Sequence, residues 1–295
     1  MRPRLAAARL VACLAVAALA AGVAPGAAHG QPAATPPGAP APTALPESYR
    51  LDARWRPEVP TGDRLFHPAG LAFDGQGRLA VAEAGNHRLT WARTNGEGFV
   101  PNASPVRLGG RGDGPARFEA PEDVAVTAAG DRFYVADTGN RRVQVLTPAG
   151  AVVAVWDDVG LPRGIALGPG VGPDNEPVAD GRIYVSDGEG MRILVFNPAG
   201  VRLAAWGGPG SGAGSLDTPL GLAVAPDGDL VVADHGHQRL VWFDADGSAG
   251  PEGAPIGRLA LDNRAAPGGA PLDVDVDANG DVFVAVERAV LRYRA

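Results

Sequence analysis

The chain has 295 residues, 45% of them apolar and 20% charged, with 33 acidic against 26 basic side chains and a net charge of −7. An acidic balance with no basic run argues against nucleic acid or an anionic membrane surface as partner, and a lone Cys rules out an internal disulfide framework. With 42 Gly, 28 Pro and no amphipathic run of helical length after residue 30, the composition points to a turn-rich, strand-built chain.

Arg2, Arg4 and Arg9 precede an apolar stretch from Leu10 to Val23, followed by small residues through Ala27 and Ala28. That is the layout of a secretory signal peptide, read here as residues 1–30. The apolar run falls short of the roughly 20 residues a membrane-spanning helix needs, so no membrane insertion is expected after cleavage. Cleavage removes the only Cys and three of the 26 basic residues, and predicts a secreted, periplasmic or cell-envelope protein. Residues 31–46 are Ala, Pro, Gly and Thr with hardly a charge, the composition of a disordered tether.

From Pro68 onward one pattern recurs five times. Its copies open at Pro68, Pro121, Pro162, Pro219 and Pro271, roughly 50 residues apart, a period that points to propeller blades. Each copy starts with a strand of alternating small and large residues, as in Gly70-Leu-Ala-Phe73 and Gly221-Leu-Ala-Val224. Turns such as Asp74-Gly-Gln-Gly77 and Pro226-Asp-Gly228 follow. The second strand is apolar on both faces, as in Leu79-Ala-Val-Ala82 and Phe133-Tyr-Val-Ala136. A strand buried on both faces belongs to a sheet packed between two others, as blades are. After a third strand comes an outer fourth: Val106–Leu108, Ala151–Trp156, Val201–Trp206 and Ile256–Leu261. The fifth copy stops after three strands. Tyr49–Trp55, which repeats the Arg-Leu-Ala-Ala-Trp pattern of Arg202–Trp206, is expected to supply its fourth and close the ring. The fold class is therefore all-β: a five-bladed β-propeller with four-stranded blades, in one domain over 47–295, its last blade completed by an N-terminal strand.

Val81-Ala-Glu-Ala-Gly-Asn-His-Arg-Leu89 and Val135-Ala-Asp-Thr-Gly-Asn-Arg-Arg-Val143 resemble the NHL-repeat family, whose blades read Pro-x-Gly-Ile-Ala-Val, Val-Ala-Asp and Gly-Asn-His-Arg. Pro219–Phe243 matches apart from His237-Gln238; the Pro162 copy is looser, and the Pro271 copy lacks both the Asp and the Arg. NHL propellers commonly have six blades, which keeps six as the alternative count. The resemblance implies recognition of a ligand, protein or RNA on one face of the ring. With the acidic charge, that becomes a monomeric module for a protein or small-molecule ligand, without a cofactor. Related six-bladed rings include gluconolactonase-like hydrolases with a divalent cation in the central channel. The alternative is thus a metal-dependent hydrolase or lyase with a cation such as calcium there.

Candidate residues follow from the repeat and from its departures. An acid is followed five residues later by Arg in four copies: Glu83/Arg88, Asp137/Arg142, Asp187/Arg192 and Asp234/Arg239. Across a hairpin with a four-residue loop the two face each other, so these read as structural bridges. Where the repeat expects Gly at the start of an innermost strand, Asp123 (beside Glu122) and Asp273 stand instead, and Arg163 follows Pro162. Glu122, Asp123, Arg163 and Asp273 are thus candidate ligand contacts at one channel mouth, though too few acids for the six or more oxygens a hard cation usually takes. His67, His87, Asn140, Arg141, His235 and His237 sit in strand entries or hairpin loops on that same face. They are candidate contacts there rather than a metal set. The insertion at 168–181, with Asp174, Asn175, Glu176 and Asp180, is read as a solvated loop. No nucleophile elbow, phosphate loop or Cys nucleophile is present.

Overall fold

Gly- and Asp-centred turns cut the chain into short strands, and β-branched and aromatic residues set how those strands stack. The computed structural model describes residues 43–44, 65–93, 105–171, 177–244, 255–260, 269–287 and 289–294. Thr43–Ala44 forms β1. Blade one follows as β2 (Pro68–Phe73), β3 (Arg78–Glu83), β4 (Arg88–Arg93) and β5 (Val106–Gly109). Blade two is β6 (Asp123–Val126), β7 (Phe133–Asp137), β8 (Arg142–Leu146) and β9 (Val152–Trp156). Blade three is β10 (Pro162–Val171), β11 (Pro177–Asp187), β12 (Arg192–Phe196) and β13 (Arg202–Gly207). Blade four is β14 (Pro219–Val224), β15 (Leu230–Asp234), β16 (Arg239–Phe243) and β17 (Pro255–Ala260). Blade five is β18 (Asp273–Val276), β19 (Val282–Val286) and β20 (Ala289–Tyr293), with β1 on the edge of β20. Every neighbouring pair is antiparallel, giving five four-stranded sheets arranged as a five-bladed β-propeller.

Two of the tight turns show why glycine is needed. Gly150 and Gly200 close the turns after the third strands of blades two and three with φ of 83°, and their N–H groups donate to Thr147 O and Asn197 O. That is a left-handed conformation other residues adopt at a cost.

The second strands β7, β15 and β19 are buried along their whole length. Each is sandwiched because apolar cores lie between blades, not within them. Among the described residues four such cores join blades one to two, two to three, three to four and four to five. An aromatic pair anchors each of the first three. Trp91 meets Phe133 edge-on at 4.7 Å, Trp156 stacks on Phe196 at 5.0 Å, and Trp206 stacks on Phe243 at 5.8 Å. Such pairs add about 0.5–1.5 kcal/mol beyond the area they bury.

Two expectations change in detail. The fifth blade does take its outer strand from the N-terminal segment, but through Thr43–Ala44 opposite Arg292 and Leu291. Those two residues belong to the expected tether, while the expected strand Tyr49–Trp55 lies outside the described residues, as does the signal segment 1–30. The insertion at 168–181 is not a plain loop. It lengthens the β10–β11 hairpin, with Gly170 opposite Val178 and Val171 opposite Pro177 after a register shift. Strand pairing satisfies backbone groups that a loop would leave to water. Asp180 falls in β11, and Asp174, Asn175 and Glu176 lie outside the described residues.

Candidate functional site on the hairpin-loop face

Pro68 pairs with Glu83, Pro162 with Asp187, and Pro219 with Asp234. The starts of the innermost strands and the second-to-third hairpin loops therefore share one face of the ring. Every candidate named from the sequence stands on it.

The repeated acids are hubs. Glu83, Asp137, Asp187 and Asp234 pair with Arg88, Arg142, Arg192 and Arg239 at 2.9, 2.8, 3.0 and 2.7 Å, and all four carboxylates are buried. Each also accepts an N–H from the segment that enters its blade: Phe66, Glu119, Leu161 and Asp217 respectively. The hairpin loop adds another donor, Asn86 to Glu83, Asn140 to Asp137, Gly190 N to Asp187, and His237 to Asp234. Thr90 and Gln144, unremarked in the sequence, donate to Glu83 and Asp137 from inside the blade. A buried carboxylate satisfied on all sides holds its blade to the chain before it.

Side chains on this face also tie each blade to the next. His87 Nδ1 accepts from Ala120 N at 3.0 Å, so its proton sits on Nε2. His235 Nδ1 donates to Pro271 O at 3.1 Å, and Thr138 Oγ1 donates to Pro162 O at 2.8 Å. Ser186 Oγ accepts from Gly164 N and donates to Leu220 O, both within 2.8 Å. Three of the four candidate histidines are thus bonded into the fold. His67 is exposed with its ring against Phe66. Among the described residues no three His, Cys, Asp or Glu side chains are grouped so as to hold a metal.

The channel-mouth acids behave alike. Asp123 Oδ1 accepts from its neighbour Val124 N, and Oδ2 from Ile165 N of blade three, both at 2.8 Å. Asp273 Oδ1 accepts from Val274 N at 2.9 Å. The preceding blade meets each acid with glycine: a Cβ on Gly70 would come within 2.2 Å of Asp123 Oδ1, and one on Gly221 within 2.0 Å of Asp273 Oδ1. Glu122 reaches Arg163 across the blade two–three junction at 2.5 Å. Burial still raises the Glu122 carboxyl above its ordinary 4.5, with Arg163 pulling the other way.

A pocket of about 340 Å³ opens on this face at the blade two–three junction. Its walls carry Arg141, Asp157, Asp158, Asp187, Glu189 and Arg192. Arg141 pairs with Glu189 across the junction, and Asp158 pairs with Arg202 at 2.8 Å. The sequence offered Arg141 and Arg192 but not the pocket, whose walls come from segments as far apart as Arg141 and Arg192.

The NHL repeat family matches residues 118–146 and 216–243, which hold the first three strands of blades two and four and the end of the segment entering each. No curated protein matches the sequence. Among solved structures, a catalytically inactive virginiamycin B lyase from Staphylococcus aureus with quinupristin is similar at TM-score 0.56 and 10% identity, over 80% of this chain and 73% of that one. A chain of the mitotic checkpoint complex gives 0.56 at 12% identity, over 76% of this chain and 60% of that one. A chain of the nidogen/laminin complex gives 0.52 at 18%, over 75% and 73%. At such identities the likeness speaks to fold alone. Blade architecture and structural neighbours agree that the chain is a five-bladed β-propeller, and two of its blades carry matches to the NHL repeat.

Proposed function

We propose that this chain is an exported, monomeric binding module that takes a protein or small-molecule ligand on its hairpin-loop face. One observation carries the reading: the regular polar residues of that face are spent on holding blades together, while the charged pocket between blades two and three is left open. The channel acids favour this over a metal-dependent hydrolase or lyase. Each oxygen of Asp123 already accepts a backbone N–H, so the carboxylate has a structural task of its own and fewer lone pairs to offer a cation that needs six or more oxygens. Among the neighbours, the checkpoint and nidogen/laminin chains are parts of protein complexes, which is in keeping with a recognition role.

The test is site-directed photocrosslinking on the full chain. A photoreactive side chain at Glu189, on the hairpin-loop face, should give a discrete adduct with an envelope or secreted component, and one at Asn279, on the opposite face, should not. Equal labelling from both positions would overturn the reading. One divalent ion per chain that survives dialysis and is lost in Asp123→Asn/Asp273→Asn would turn it toward the metal-dependent alternative. Export is checked by intact mass, which should show a mature start between about Ala27 and Gln31.

A further inference from the structure

The connectors that enter blades two, three and four differ in one respect. Residues 110–120 lead into blade two and residues 208–218 into blade four, whereas residues 157–161 alone lead into blade three. All three end on a fully buried apolar plug three residues before the opening Pro: Phe118, Val159 and Leu216. The long connectors repeat the same path before that plug. Gly110 and Gly208 have φ of 123° and 134°, Gly112 and Gly210 of 149° and 145°, and the plug N–H donates back to Gly110 O or Gly208 O. The short connector keeps the plug and omits the glycine-rich excursion.

That excursion has a receptor in its own blade. Arg142 Nη1 donates to Asp113 O at 2.6 Å, and Nη2 donates to Gly114 O and Arg117 O at 3.0 Å. Arg239 Nη2 donates to Gly212 O and Ser215 O in the same manner. Arg192 holds the equivalent place in blade three, and its Nε donates to Asp187 at 3.0 Å. Among the described residues its two Nη groups have no partner. Its side chain is 38% exposed, against 11% for Arg142 and 10% for Arg239. The open pocket lies here, where the excursion would run.

We infer that this pocket is a receptor for an extended, glycine-rich peptide segment of a partner protein, whose main-chain carbonyls dock on Arg192 as residues 113–117 dock on Arg142. The inference rests on the binding-module reading and names the ligand class for its open pocket. Small residues are needed because the two internal excursions reach their φ values through glycine. Carbonyls fit better than a carboxylate or phosphate, since the walls carry four acids, Asp157, Asp158, Asp187 and Glu189, against Arg141 and Arg192, a balance that disfavours an anion. Asp157 makes no hydrogen bond or ion pair among the described residues and faces solvent, so a basic side chain flanking the glycines gains a counter-charge.

The chain supplies its own probes. A synthetic peptide of residues 110–117, which carries Arg111 and Arg117 against Asp113, should bind the full-length protein and weaken as salt is raised. One of residues 208–215, which carries no charge, should bind more weakly. Arg192→Gln should cut the affinity of the first about tenfold, the scale of a lost charge-assisted bond. Arg132→Gln, on the opposite face, should leave it unchanged. As a second variant, residues 208–215 inserted between Trp156 and Val159 in place of 157–158 should fill the pocket, abolish peptide binding and raise the melting temperature. No binding of either peptide, binding indifferent to Arg192→Gln, or displacement by inorganic phosphate at equal concentration would each overturn the inference. Retained Glu189 crosslinking in any of those cases would leave the binding-module reading standing, and its loss would remove both.

Discussion

Blades four and five differ where the repeat is most regular. Blade four has Asp234 opposite Arg239; blade five has Val286 opposite Ala289 at the corresponding register. Yet β19 and β20 pair without interruption from Val282–Tyr293 to Val286–Ala289. Blade five places its ion pair at the other end of the sheet, Asp281 with Arg292, whose guanidinium lies 5.5 Å over Phe283. The hairpin itself therefore does not require the acid. What the acid adds is reach beyond the hairpin: Asp234 takes Asp217 N from the entering connector, and its partner Arg239 takes that connector's carbonyls.

The comparison is broken most severely by Asp234→Ala. It strands a nearly buried Arg239 and an unpaired connector N–H, and should cost about 3–5 kcal/mol in denaturant unfolding, the scale of a buried pair losing one member. A loss below about 1 kcal/mol would reduce the hub to a surface bridge. Gln144→Ala comes next. Gln144 is fully buried, accepts from Ala116 N and donates to Arg117 O, so about 1–3 kcal/mol should go with those unsatisfied groups. Arg192→Gln should cost less than Arg239→Gln, because its guanidinium is 38% exposed and holds no connector, so that the loss is confined to the bridge with the buried Asp187. If it matched Arg239→Gln, the distinction between filled and empty junctions would collapse.

The smallest effect concerns pH. Burial lifts the Glu122 carboxyl above 4.5 in the folded chain, so the native state keeps that proton to higher pH than the unfolded state does. Its contribution to stability therefore falls as pH rises from about 4.5 through the raised value and is level on either side. Glu122→Gln should flatten that decline in a series of melting temperatures and leave neutral-pH stability level or slightly higher. An unaltered profile would mean the carboxyl is solvated at the channel mouth.

The blades, their shared face and the acid–Arg pairs were legible in the sequence because each depends on near neighbours and recurs. Asp137 and Arg142 need only a four-residue loop to meet. Other features depended on partners remote in the chain. Asp123 and Asp273 stood out as departures from the repeat, but their acceptance of backbone N–H groups, including Ile165 N of the next blade, has no sequence signature. The loop histidines suggested ligand contacts, whereas His87 and His235 serve blade junctions through backbone partners that any residue offers. The insertion at 168–181 looked like a loop because its glycines and acids mask the Val171 and Val178 that extend the ladder. Connector length was readable all along, but its meaning came only from seeing which Arg lost its carbonyls.

The junction ties have a consequence for how such a ring changes over time. His87, Thr138, Ser186 and His235 each bond to main-chain atoms of the next blade, so the residue on the receiving side is not constrained by the bond. A substitution there needs no matching second substitution, and the side-chain end of the tie is filled by three different residue types for one task. At these ties one blade can drift without a matching change in the next, as the shared apolar cores cannot. His235→Thr, borrowing the solution used at Thr138, should fold with little loss where an interlocked side-chain pair would demand a simultaneous change in both partners.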